Sequence, residues 1–184
     1  SLLVMRSMLS QDGIINVMLK NAGWIQKSLP FFSNVAWARI TVIVVNLWIG
    51  IPYTMMQVTG ILQNIPLELY EAAEVDGAGP AIRFFKITLP YMLFVTTPYL
   101  ITTFTANINN FNIVYLLTKG DPVLSGNTAG KTDLLVTWLY KMTVDYQYYN
   151  LGAVIGIMTF VFLAIGSLLV YRRTKSYKDE EGFQ

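Results

Sequence analysis

Amide and hydroxyl side chains recur at helical spacing inside stretches that carry no charge, and this placement is the chemistry the chain offers. Asn46, Gly50, Tyr53 and Gln57 fall at i, i+4, i+7 and i+11, and Thr96, Thr103, Asn107 and Asn110 at i, i+7, i+11 and i+14. Each set therefore shares one face of a helix. Amides both donate and accept hydrogen bonds, and an aromatic ring can cover the apolar face of a sugar, so two such stripes suit an uncharged, hydroxyl-rich ligand in a shared hydrophilic cavity. A competing reading is that the same groups tie helices together. No Asp, Glu, Lys, Arg or His lies within residues 40–67, 87–118 or 146–171. Ion-coupled carriers place ionisable groups at mid-membrane, so the energy for moving a ligand would come from elsewhere.

A second group of residues points to a docking loop. Glu71-Ala72-Ala73 is followed by Gly77 and then by Ile87-Thr88-Leu89-Pro90, with Arg83 and Lys86 between. Asn64-Ile65-Pro66 reads as a helix start, with Asn64 as cap and Pro66 at or near the first helical position. Glu68 and Glu71 then fall early in that helix, where its dipole favours anions. Asp76-Gly77-Ala78-Gly79-Pro80 breaks it, Gly77 supplying the positive φ of a tight exit and Pro80 restarting a helix. Ala72 and Ala73 offer a flat surface that another protein can approach closely.

The elements that must position these groups follow from composition. The chain has 184 residues, is 54% hydrophobic and 13% charged, and contains neither Cys nor His. It belongs among membrane proteins, without a disulfide framework or a zinc or haem site. Each of the three uncharged runs exceeds the roughly 20 residues needed to cross a bilayer. The spacing predicts an all-α polytopic membrane helical bundle. Its parts are the end of a preceding span and an outer segment (1–38), a span (39–62), a cytoplasmic loop (64–90), a span (91–117), an outer segment (118–148), a span (149–171) and a cytoplasmic tail (172–184). Arg172, Arg173, Lys175 and Lys178 after the last span, with Arg83 and Lys86 in the loop, set this orientation. Outside, Asp121, Asp133 and Asp145 accompany Lys119, Lys131 and Lys141.

Within the first span Pro52 cannot donate to the carbonyl of Trp48, which predicts a kink beside the polar stripe. In the last, Gly152 and Gly156 form a small-xxx-small pair suited to close helix packing. Leu134, Leu135, Trp138, Leu139 and Met142 share a face that suits the membrane interface, the spans or a binding protein alike. The opening Ser1-Leu2-Leu3-Val4-Met5 reads as the tail of a helix, so the chain is expected to be the C-terminal part of a longer protein. Net charge of +2 offers nothing to nucleic acid, and no nucleophile with a base, metal cluster or phosphate loop suggests an enzyme.

The loop pattern resembles the EAA signature of the membrane-spanning subunits of bacterial ABC importers, with Glu71, Ala72, Ala73, Gly77, Ile87, Leu89 and Pro90 at the family's positions. The wider chain is similar to the larger permease subunit of maltose and maltodextrin importers. The resemblance is carried by Asn46-Leu47-Trp48-Ile49-Gly50-Ile51-Pro52-Tyr53, Asn107-Ile108-Asn109-Asn110-Phe111 and Thr132-Asp133-Leu134-Leu135-Val136 as well as by the loop. It implies a type I ABC importer permease fold and a loop that sits as a helical hairpin in a cleft of the ATPase, with Glu71 in a charged contact. It also implies sugar contacts from Asn46, Ile49, Gly50, Tyr53, Thr103, Ala106, Asn107 and Asn110. Thr103 stands where serine is familiar, and Ala106 where an aromatic ring would stack on the sugar. The implied partners are a pair of ATPase subunits holding ATP and Mg, a second permease subunit, an extracytoplasmic sugar-binding protein, the sugar and the lipid of the bacterial cytoplasmic membrane. This chain itself is expected to hold no cofactor. The alternative function is a membrane scaffold or assembly protein whose polar residues only join helices.

Overall fold

The computed structural model describes residues 1–172, and among them only helices, turns and loops occur. Two short helices, α1 (Leu2–Met8) and α2 (Ile14–Asn21), precede the long α3 (Val35–Leu62). The loop region holds α4 (Leu67–Val75) and α5 (Pro80–Arg83), and a π-helical turn (Phe84–Thr88) leads into α6 (Leu89–Ile108). Then follow α7 (Phe111–Leu117), α8 (Leu135–Tyr140), a second π-helical turn (Lys141–Asp145) and α9 (Tyr149–Arg172). Three stretches are long and apolar enough to cross a membrane: Val35–Leu62, Pro80–Leu117 and Tyr149–Arg172. The expected tail charges Arg173, Lys175 and Lys178 lie outside the described residues.

The described residues divide into two compact units, Ser1–Ile49 with Asn107–Phe162, and Gly50–Ala106 with 163–172. In the first, the core gathers Ala38, Val45, Ile113, Val114, Leu117 and Met142. Asn34 caps α3, its side-chain oxygen accepting from the backbone N–H of Ala36 and Trp37 at 3.0 and 3.3 Å. The fully buried Asn16 spends its amide on the Ser10 carbonyl and on both backbone groups of Leu29. It thereby pins the connection between α2 and α3, at the cost an unsatisfied buried amide would otherwise impose.

The 118–141 segment of this unit is fixed by polar contacts rather than by apolar bulk. Lys141 Nζ lies 2.7 Å from Asp133 Oδ2, with side chains only 11% and 3% exposed. The same carboxylate accepts from the Gly130 N–H and the Thr137 hydroxyl. Thr118 and Thr132 bond each other at 2.8 Å, and Thr132 donates to the Asp121 carbonyl. Gly120, with φ of +86°, has no room for a side chain, because a Cβ there would run into Asp133 and Lys141. Lys141 is thus a neutralised core group, paired with one of the aspartates that accompany the outer lysines in the sequence.

In the second unit, Thr54 and Tyr99 hydroxyls lie 3.0 Å apart, and Thr105 and Ser167 3.1 Å apart. Tyr70 meets Thr88 at 2.8 Å and Arg83 pairs with Glu74 at 3.1 Å, so the two arms of the loop are clasped at two points. One expectation needs correction here. Asn64 does not cap α4; its amide donates back to the Gly60 carbonyl at the end of α3, and Pro66 occupies the N-cap position. Between loop and span the helix continues from Pro80 through the π-helical turn and Pro90 to Ile108. Leu89 N–H bonds the carbonyl of Phe84, five residues back, which shifts the bonding pattern just ahead of the proline that lacks a donor.

The last helix packs at its start through the glycine pair. Gly152 is buried, and a Cβ there would strike Thr143, while one on Gly156 would come within 3.3 Å of Leu139. The two glycines therefore seat the start of α9 on residues 139–143. Beyond them Phe160, Phe162, Leu168 and Leu169 are exposed in this chain, as suits side chains that meet lipid or another subunit.

Candidate functional site

Three of the amides singled out in the sequence come together. Asn46 on α3 donates through Nδ2 to Asn107 Oδ1 at 2.9 Å, and its own Oδ1 accepts from Asn110 Nδ2 at 3.3 Å. Asn110 reaches this place for a reason that helical spacing did not supply. Helix α6 ends at Ile108, and Asn110 is the N-cap of α7, its Oδ1 accepting from Ile113 N–H at 3.3 Å. Asparagine competes for nearby backbone groups and favours such positions, so the run of Asn107, Asn109 and Asn110 breaks the helix. The i+14 position of Asn110 on a single helix face is therefore incorrect, although its convergence with Asn46 and Asn107 holds.

The amides border a pocket of about 340 Å³ whose polar lining also includes Arg39, Lys131 and Asp133. Val42, Ile43, Ile113 and Val114 supply apolar wall. Arg39 Nε donates to the Lys131 carbonyl at 3.1 Å, tying the 131–134 segment to α3. Sequence reasoning treated Arg39 only as the boundary of an uncharged run. Its spacing of seven residues from Asn46, two helical turns on the same face, was the signal that could have found it.

The other expected ligand contacts are distributed differently. Ile49, Gly50 and Tyr53 continue along α3 and are exposed, and Thr103 on α6 is half-buried. Thr96 is buried and donates to the Met92 carbonyl at 2.6 Å. Its hydroxyl thus satisfies its own helix, as a threonine back-bond does. Several threonines in α6 do likewise, among them Thr97 and Thr102, so hydroxyls count for less than amides in reading these spans.

In the loop, Glu71, Ala72, Gly77 and Pro90 are exposed, and Ala73, Ile87 and Leu89 are half-buried. Gly77 takes φ of +76° and ends α4 as its type predicted, while Gly79 and Pro80 open α5. The acidic edge and the small residues are thus presented outward on a hairpin whose arms are internally clasped.

The sequence matches, over residues 3–176, the model of a family described as binding-protein-dependent transport system inner membrane component. The chain belongs to this family. It is 44% identical over 152 residues to the galactooligosaccharides transport system permease protein GanP of Bacillus subtilis, covering 83% of this chain and 36% of that protein. It is 41% identical over 176 residues to the maltose/maltodextrin transport system permease protein MalF of Escherichia coli K12, covering 92% of this chain and 34% of that one. The chain thus spans about a third of the length of these relatives. A crystal structure of a bacterial ABC transporter involved in the import of the acidic polysaccharide alginate contains a chain with the same fold. That chain aligns with a TM-score of 0.71 at 23% identity, over 92% of this chain and 59% of its own length. A second alginate ABC transporter structure, in complex with a periplasmic protein carrying an alginate pentasaccharide, aligns at 0.68 and 22% identity, over 91% of this chain and 56% of its own. The family and fold read from the EAA signature are borne out, and the permeases named among its relatives include those for maltose and maltodextrin.

Proposed function

We propose that this chain is the membrane-spanning permease part of an ATP-driven importer of oligosaccharides, with a maltose or maltodextrin type of sugar as substrate. The observation that carries the reading is the convergence of Asn46, Asn107 and Asn110 on one pocket in a member of this transport family. Amides at the pocket wall can exchange their mutual hydrogen bonds for bonds to sugar hydroxyls, donating and accepting at once. Ile49, Gly50, Tyr53 and Thr103 complete the proposed sugar-contacting set. Energy enters through the loop. ATP binding draws a separate pair of ATPase subunits together, their motion pulls Glu71–Ala73 and Gly77, and the spans alternate between outward and inward access. Hydrolysis, with its Mg, belongs to those subunits and not to this chain. A second permease subunit and an extracytoplasmic sugar-binding protein complete the assembly in the bacterial cytoplasmic membrane.

The test is uptake against sugar concentration in the assembled importer. Asn107→Ala and Asn110→Ala each remove a hydrogen-bonding group from the pocket wall, at about 0.5–1.5 kcal/mol, or roughly two- to tenfold in apparent affinity. The expected result is a raised half-saturating concentration with the complex still assembled and its basal ATPase present. Unchanged affinity in both variants would remove the proposed site. Residues serving only to join helices would instead lower the yield of complex without changing sugar dependence.

Orientation is tested with single cysteines, which the cysteine-free chain accepts without background. Ser125 and Val75 are both exposed, one in the outer segment and one in the loop. Ser125→Cys is expected to react with a membrane-impermeant maleimide in intact cells lacking the outer barrier, and Val75→Cys only after permeabilisation. The reverse pattern would invert the topology.

A further inference from the structure

The pocket that holds the three amides does not end with them, and its other end has a different chemistry. Arg39 lies seven residues before Asn46 on α3, so their Cα atoms are about 10.5 Å apart along the axis at 1.5 Å per residue. That is farther than one sugar ring spans and within reach of two linked rings.

The polar groups around Arg39 are unequal in what they can give a ligand. Asp133 lines the pocket, but its carboxylate is already engaged by Lys141, Gly130 and Thr137. Thr132, beside it, spends its hydroxyl on Thr118 and the Asp121 carbonyl. Arg39 is held through Nε alone, by the Lys131 carbonyl. This single bond orients the guanidinium and leaves the donors of its two terminal amino groups for a ligand in the pocket that Arg39 lines. Lys131, also in the lining, adds only further donors. One end of the pocket therefore offers amides that donate and accept, and the other offers the donors of Arg39 and Lys131 beside a carboxylate already engaged.

We infer that Arg39 forms a second subsite of the sugar pocket, donating charge-assisted hydrogen bonds to hydroxyl or ether oxygens of a saccharide unit next to the one held by Asn46, Asn107 and Asn110. The inference rests on the sugar-import reading and extends it. The ligand class is an oligosaccharide of at least two units, and Arg39 favours longer ligands over a single ring. A guanidinium bond to a ligand oxygen is stronger than one between neutral groups, which makes Arg39 the larger contributor at its end.

The experiment uses the assembled importer with the full-length permease in detergent, titrated with glucose, maltose and maltotriose. Arg39→Gln is expected to weaken maltose and maltotriose binding by about ten- to a hundredfold while leaving glucose within a factor of about two. Arg39→Lys keeps the charge but not the fork held at Nε, and is expected to recover only part of the loss. Equal weakening for all three sugars would mean that the substitution loosens the 131–134 segment and would overturn the subsite, as would no change for any. If the unaltered importer binds none of the three, the sugar reading itself falls and the subsite with it. Binding of all three by the unaltered complex, with Arg39→Gln acting on none, removes the subsite alone.

Discussion

Replacing Glu71 with lysine, or Gly77 with proline, is expected to abolish sugar-stimulated ATP hydrolysis by the assembled importer while leaving membrane insertion intact. The two changes attack the loop in different ways. Glu71 is exposed on α4, so a lysine there leaves the hairpin folded and reverses only the charge offered to the ATPase. Gly77 has φ of +76°, and its N–H bonds the Glu74 carbonyl at 3.0 Å. Proline can adopt neither the angle nor the bond, so the exit from α4 must be rebuilt. A Cβ at Gly77 meets nothing within 4 Å, which makes Gly77→Ala the control for backbone strain alone, about 1–2 kcal/mol for a left-handed residue. Rates of ATP hydrolysis with and without sugar, beside the amount of permease recovered in membranes, separate coupling from folding. Normal stimulation in both main variants would end the coupling role.

Lys141→Met is expected to cost about 3–5 kcal/mol, because it strands the Asp133 carboxylate in a site that is closed to water. The Gly130 N–H and the Thr137 hydroxyl still point at that carboxylate, but they do not balance its charge. Thermal unfolding of the detergent-solubilised complex should show a clear drop in midpoint. Adding Asp133→Asn to the same chain removes the stranded charge and should restore most of the loss, since replacing both members of a buried pair is often near neutral. An unchanged midpoint in the single variant would show that the pair carries no stability.

The long elements were legible in the sequence because their signal is additive: dozens of uncharged residues in a row leave few alternatives to a span. Gly77, Gly79 and Pro80 were legible because each has a backbone reason to stand where it does. The amide cluster was half legible. Periodicity brought Asn46 and Asn107 forward, but Asn110 was assigned to a helix that the asparagines themselves interrupt. A local break of this kind depends on side chain and backbone competing for the same bonds, and a periodic count assumes that the backbone has won. Lys141 and Asp133 escaped for another reason. Their meaning lies in a closed network with Thr137 and Gly130, and a lysine in an aqueous segment reads as solvated unless its surroundings are known. Arg39 was hidden by the rule that found the span, since a charge that ends an apolar run is treated as an edge.

The π-helical turn at Phe84–Thr88 sets a register. An α-helix advances about 100° per residue, and a π-turn accommodates one residue more than the α pattern would over the same rise. Deleting one residue from 84–88 would therefore let the segment close as ordinary helix, with little change in the length of the rod from Pro80 to Ile108. Everything beyond it would keep its direction relative to Glu74 and Tyr70, which clasp the near side. Thr103 would still face as it does now, whereas a one-residue deletion in the plain helix between 91 and 101 would turn it by about 100°. The five-residue turn is in this sense the slack of the rod, and a one-residue deletion within it should be far better tolerated than one further along α6.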